Sequence, residues 1–424
     1  METMTRYEGL AMQLPTAAPA GALGAPGEFG RVDPAAEGIH GVLAAVRRHL
    51  GMDVAFISHF ETEERAFEYV DCAPNGPLRA NQRMPLSEGY CLKVVRGELP
   101  ECIPDTSKLE AALQIPQTAA VPIGSHLSVP VRLKDGSIYG TLCCFSYLPN
   151  PALGEREMRL MHAFAEVVAL RMDERSALQR ARESAAREVR QAMAQGAPRI
   201  VFQPVYSIAQ RAVRAFECLS RFDIAPKRPP DEWFRVADES GFGLPLELHA
   251  IEKALTSLDD FPGHCSLSVN CSPSLVLSGR LEPVLSALNT PSRVTLEITE
   301  HAIVQDYAAL AAALAPLRAL GIGVAVDDAG AGYASMRHIL NLAPDIIKLD
   351  MSLTRNIHED GKRRALAKGL TSFAHEIDSL VIAEGVESGA ELEMLQRLDV
   401  DCAQGYFLAR PLALQDALTF SMTH

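Results

Sequence analysis

No stretch of this chain is long and apolar enough to read as a membrane span. The longest candidate, Tyr307 to Val326, is broken by Pro316 and carries Arg318, so it reads as a helix followed by a strand. The N-terminus lacks a basic segment with an apolar core behind it, so no secretion signal is expected. None of the nine cysteines forms a Cys-x-x-Cys pair, and five (Cys143, Cys144, Cys218, Cys265, Cys271) fall in apolar or strand-like runs. Reduced thiols and a cytoplasmic location are the expectation. A basic excess is missing too. The formal charge is −13, and residues 199–424 carry 20 Lys+Arg against 29 Asp+Glu. That balance argues against sequence-independent binding to duplex nucleic acid, which needs a basic footprint.

What is present suits a globular protein: 424 residues, 48% hydrophobic and 22% charged, enough for two domains with separate cores. Residues 1–34 are rich in Ala, Pro and Gly without apolar periodicity, and are read as a disordered tail. From Ala36 to Leu50 the spacing predicts an amphipathic helix ended by Gly51. Strands follow at Val54–Ser58, Ala66–Val70, Ser125–Val131 and Tyr139–Phe145, with Asp135-Gly136 as a hairpin turn between the last two. This mixture predicts a compact α+β domain over residues 35–155.

Residues 155–196 predict one long helix. Met161, Phe164, Val168, Met172, Leu178, Ala181, Ala185, Val189 and Ala192 recur at spacings near three and four, and Gly196 and Pro198 end the segment. Some 40 residues would span about 60 Å. The segment is read as a connecting, signalling helix that pairs with a second copy, giving a homodimer.

Residues 199–424 carry the chemistry. Six apolar runs each end in a residue able to act: Asn270, Glu297, Asp327-Asp328, Lys348-Leu-Asp350, Glu384 and Gln404. Strands buried on both faces need Val, Ile and Leu, and a barrel places its working residues where strands stop. With strands at Ile200–Tyr206 and Ala215–Phe222 in front, the fold class is α/β, a (β/α) TIM-like barrel with a carboxylate-rich mouth. Glu217, Glu297, Asp327, Asp328 and Glu384 would meet as five carboxylates with the Asn270 amide. Such a cluster raises its own pKa values unless cations relieve it. Oxygen-only ligation points to Mg²⁺ or Mn²⁺, two per site, rather than zinc.

The motifs of this half resemble the EAL domain, the cyclic di-GMP phosphodiesterase family. Glu217-Cys-Leu219-Ser-Arg221 matches its Glu-x-Leu-x-Arg signature. Phe202-Gln203-Pro204-Val205, Val269-Asn270, Glu297-Ile-Thr-Glu300, Asp327-Asp328, Ile347-Lys348-Leu-Asp350, Ala383-Glu384-Gly-Val-Glu387 and Gln404-Gly-Tyr406 follow in order. The resemblance implies that Glu217, Asn270, Glu297 and Asp327 hold one metal, with Asp327, Asp328 and Glu384 around a second. It implies that Lys348 orients the attacking water or a phosphate oxygen, with Glu384 as an alternative general base beside the metal-held Asp328. Gln203, Arg221, Asp350 and Gln404 would bind substrate, and Glu300 would brace the loop after Asp328. One departure stands out: Ala329-Gly330-Ala331-Gly332 replaces the family's Phe-Gly-Thr-Gly.

Gly89-Tyr-Cys-Leu92, Ile103-Pro-Asp105, Ser128–Val131, Asp135-Gly136 and Gly140-Thr-Leu142 resemble a GAF domain, a small-ligand sensor. Cys91 reads as a buried structural cysteine, since Leu92 follows where light-sensing versions carry His. The joint expectation is metal-dependent hydrolysis of cyclic di-GMP to linear 5′-pGpG, regulated through the helix by an unidentified small ligand or partner of the GAF-like domain. The alternative is a receptor that binds cyclic di-GMP without cleaving it.

Overall fold

The computed structural model describes residues 34–298, 304–330 and 333–423. Most of the expected tail, Glu300, His301 and the Ala331-Gly332 half of the altered loop lie outside these. The chain divides into two compact units, residues 1–173 and 174–424.

In the first unit a helix, Pro34–His49, precedes six strands: β1 (Val54–Phe60), β2 (Glu64–Cys72), β3 (Gln82–Pro85), β4 (Cys102–Ile103), β5 (Ser125–Arg132) and β6 (Ile138–Ser146). They form one antiparallel sheet in the order β3-β2-β1-β6-β5-β4. Both faces are covered. Ile57, Leu127, Val129, Leu142 and Cys144 pack with Ile39 and Leu43 of the first helix on one side. Phe56, Phe67, Phe145 and Cys143 pack with Tyr90, Cys91 and Val94 on the other. Alternation along β6 sends Cys143 and Cys144 to opposite faces, and because each face carries a core, both are fully buried.

The long helix runs Glu155–Ala194, 40 residues. Met161, Val168 and Met172 of its apolar series are spent on the core of the first unit, and Val189 and Ala192 on a core of the second. Residues 177–184 are exposed all round. The seam read from the sequence is therefore largely consumed within the chain, leaving Leu178 and Ala181 uncovered.

The second unit is a closed eight-stranded barrel: β7 (Arg199–Ser207), β8 (Ala212–Arg221), β9 (Ser266–Cys271), β10 (Val294–Ile298), β11 (Gly323–Ala329), β12 (Ile346–Leu349), β13 (Leu380–Ala383) and β14 (Cys402–Ala403). The TIM-like expectation holds, with one difference: β7 runs antiparallel to both β8 and β14. The reason is local, since Ile208–Arg211 is too short for the crossover a parallel pair needs and makes a hairpin instead. Outward residues of β8 to β11 build the main core with the surrounding helices. The last strands and their helices build another. Among the described residues, no helix is long and apolar enough to cross a membrane.

Candidate active site

Alternation along each strand sorts the barrel wall. Phe216 and Cys218 of β8, Val269 and Cys271 of β9, and Leu296 and Ile298 of β10 enter the outer core, as do Ile347 and Leu349 of β12. Their intervening neighbours Glu217, Asn270, Glu297 and Lys348 are thereby turned to the inside. Register aligns them across strands: Gln203 opposite Glu217, and Glu297 opposite Asn270.

Asp327 and Asp328 are adjacent, and a regular strand would point one of them away. The ladder between β11 and β12 shifts register between Val326 and Ala329, and Asp328 adopts φ +54°, a left-handed conformation Asp tolerates better than most residues. The bulge re-aims the pair. Carboxylate oxygens of Asp327, Asp328 and Glu384 consequently lie within 4.8 Å of one another.

Lys348 stands at the centre, 1% exposed. Its Nζ lies 2.7 Å from Glu297, 2.6 Å from Glu384, 3.1 Å from Asp327 and 3.6 Å from Glu217. One ammonium faces four carboxylates, so acid is in surplus. Burial pushes the Glu297 carboxyl up to about 8; Lys348 pulls it down, while Glu217 and Asp327 add repulsion. Burial likewise lifts Glu384 to about 7 against the pull of Lys348. For Lys348, burial disfavours the charged form, but the acids together hold its pKa well above the ordinary lysine value.

The amides gather on Glu217. Asn270 Nδ2 donates to its Oε1 at 3.3 Å, and Gln404 Nε2 donates to its Oε2 at 2.5 Å and to Gln203 at 3.3 Å. Gln404 Oε1 is buried without a hydrogen-bond partner among the described residues, an acceptor open to a donor from outside the chain. Arg221 sits at the end of β8 and donates to the Ser220 carbonyl. Beside it opens a cavity of about 640 Å³ lined by Arg221, Asn270, Phe234 and Glu247 together with Cys218, Val269 and Cys271 of the outer core, and by none of the carboxylates around Lys348.

One expected residue stands apart. Asp350 caps the short helix Met351–Thr354, its carboxylate accepting from the Ser352 N–H at 2.9 Å, and among the described residues no hydrogen bond or ion pair joins it to the carboxylate cluster. Glu300 lies outside the described residues. A residue the strand-end pattern missed is Glu247, which accepts hydrogen bonds from the Ser272 backbone and hydroxyl. Burial raises its pKa. It ties down the turn two residues after Asn270. Because it lies mid-helix in Gly243–Leu255, only helical spacing against a buried face could have revealed it.

The EAL domain family model matches residues 186–411 and the GAF domain model residues 36–172. An uncharacterized signaling protein of Caulobacter vibrioides is 32% identical over 252 residues, 58% of this chain and 31% of that protein. The cyclic di-GMP phosphodiesterase NbdA of Pseudomonas aeruginosa is 28% identical over 242 residues, 54% of this chain and 30% of that one. The solved PaMucR phosphodiesterase in complex with c-di-GMP superposes with a TM-score of 0.50 at 25% identity, covering 55% of this chain and all of that one. The chain thus spans about a third of the length of these curated relatives. With its signature motifs in order around a closed barrel, the chain belongs to the EAL domain family.

Proposed function

We propose that the barrel hydrolyses cyclic di-GMP to linear 5′-pGpG with Mg²⁺ or Mn²⁺, two ions per site. The observation that carries this reading is the surplus of carboxylate around Lys348, drawn from four separate strands. The donor set fits hard divalent cations: carboxylate oxygens and an amide oxygen, with neither His nor Cys among them. Glu217, Asn270, Glu297 and Asp327 would hold one ion, and Asp327, Asp328 and Glu384 the other. Bound ions would neutralise these acids, polarise the phosphodiester and lower the pKa of an attacking water.

The chain's own groups do the rest. Lys348 places an ammonium donor against the incoming water or a phosphate oxygen. Glu384, 2.6 Å from that ammonium, is placed to accept the water's proton. Arg221, at the cavity rim, offers a fork of N–H donors to a phosphate. Gln203 and Gln404 present amides to a purine edge. Water adds at phosphorus, the bond to the ribose 3′-oxygen breaks, and that oxygen leaves with a proton.

Regulation by the GAF-like unit, homodimerisation and a cytoplasmic setting belong to the same proposal. All nine cysteines are free, which suits a reducing compartment. Leu160, Val167, Leu170 and Leu178 lie exposed on the long helix and offer a second copy an apolar stripe. The test is chromatography of cyclic di-GMP incubated with the protein and Mg²⁺ or Mn²⁺, with Glu217→Ala as the control. Linear product that disappears in Glu217→Ala supports the proposal, and no turnover with either ion overturns it. Binding without product is the outcome of the receptor reading, favoured by the altered loop: Ala329 is fully buried, and a Cβ on Gly330 would meet Leu353.

A further inference from the structure

Inside the first unit lies a cation without a counterion. Arg65, on β2, is 2% exposed, and no carboxylate pairs with it among the described residues. Its Nη1 donates to the Cys91 sulfur at 3.0 Å and its Nη2 to the Gln117 carbonyl oxygen at 2.5 Å. Its Nε is buried with no hydrogen-bond partner among the described residues. An isolated ion in a protein interior costs several kcal/mol unless it is paired.

The chain is nevertheless shaped to keep the guanidinium there. A Cβ at Gly89 would fall 2.1 Å from Arg65 Nη1, so only glycine leaves room for the group. Phe67 lies beneath it, 5.1 Å from Cζ to the ring centroid. Next to it is a cavity of about 40 Å³ lined by Arg65, Gln117, His126, Tyr90, Phe56 and Met84. His126 is 1% exposed, its Nδ1 has no partner, and its ring stacks on Tyr90 at 4.2 Å. Two unsatisfied nitrogens in an otherwise apolar hole describe a ligand by its complement. It is negatively charged, it accepts hydrogen bonds, and it is small, since a water needs roughly 10–15 Å³ of such volume and this space holds about three groups of that size.

We propose that this cavity binds a small carboxylate of the size of formate or acetate. One carboxylate oxygen accepts from Arg65 Nε–H. The other takes a remaining hydrogen of the same guanidinium, in the planar fork Arg makes with carboxylates. The His126 Nδ1 faces the occupant as a second polar contact. The competing source of negative charge is internal: the sulfhydryl of Cys143, 3.7 Å away, and then Arg65 favour a Cys91 thiolate.

Thermal unfolding of the full chain with sodium formate or sodium acetate, against sodium chloride at equal ionic strength, tests the proposal. The expected result is a saturable rise of roughly 2–8 °C over the chloride reference for the transition of the first unit. Gln117→Glu places a carboxylate on Arg65 from within, so it should raise the midpoint and abolish the response. Arg65→Gln should abolish the response without the rise. Three results would overturn the site: no shift beyond chloride in the parent protein, an undiminished shift in Gln117→Glu, or ultraviolet thiolate absorbance lost in Cys91→Ser. Binding is read here without turnover, so its failure leaves the chemistry of the barrel untouched.

Discussion

Lys348 and Arg65 are both cations at most 2% exposed, and their surroundings are opposite. Lys348 has four carboxylates within 4 Å, whereas Arg65 has a thiol, an amide and a free Nε. Burial makes charge expensive in both places, so each site advertises what it lacks. The barrel has more acid than its lysine can match and calls for further positive charge. The sensor core has a guanidinium with no anion and calls for a negative one. A buried charge that its own chain leaves unbalanced is thus a statement about a ligand.

The sharpest way to break the contrast is to delete both cations. Lys348→Met should cut turnover by roughly 10²–10⁴ and, with chelator present, destabilise the barrel by about 3–5 kcal/mol, because buried carboxylates lose their partner. Arg65→Met, measured by the same denaturant titration, should leave stability unchanged or raised. Loss of stability on both deletions would end the comparison.

Divalent cations come next. Saturating Mg²⁺ should stabilise the parent barrel by about 2.7 kcal/mol at 100 times Kd, seen as a shift in melting that Glu297→Gln reduces and chelator removes. No shift with Mg²⁺ or Mn²⁺ would remove the metal from the proposal.

Gly89→Ala should cost about 2 kcal/mol, because the new methyl occupies guanidinium space. Combining it with Arg65→Met should recover most of that loss. A double variant as unstable as Gly89→Ala alone would show that glycine serves the backbone instead.

A pH slope, small per unit, completes the set. Burial, helped by Arg65, holds His126 down at about 3. Facing it are Arg65 from β2 and Tyr90 from the neighbouring helix, while its partners in the sheet are Ile103 and Phe145. The folded unit keeps His126 neutral while the unfolded chain takes up a proton below about pH 6.5. Stability should therefore fall as pH drops from 6.5 toward 3, by about 1.4 kcal/mol per unit. His126→Gln should flatten that slope in acid unfolding curves. An unchanged slope would place the proton elsewhere.

Much of this was readable from the chain, for identifiable reasons. Strands buried on both faces declare themselves by runs of Val, Ile and Leu, so the ends that carry Asn270, Glu297, Lys348 and Glu384 could be located one by one. What escaped needed backbone detail. That Asp327 and Asp328 meet was expected, but the bulge that brings them together leaves no mark in residue order. The reversal of β7 depends on a hairpin of ordinary composition, and Glu247 hides in a helix. Arg65 directly precedes the Ala66–Val70 run, and nothing in its sequence neighbours marks it as buried. Its burial rests on Gly89, 24 positions away, and one-dimensional periodicity cannot join them.

The reversed first strand also fixes where the polypeptide enters the barrel. Arg199 sits level with Arg221, so the chain arrives at the catalytic rim and not at the floor. The preceding turns of helix, through Val189 and Ala192, share a core with Phe222, Trp233 and Leu246, and Phe222 is the chain neighbour of Arg221. Any torque on those turns is delivered one peptide bond from Arg221, so a half-turn of rotation would reach this rim of the barrel as a displaced arginine.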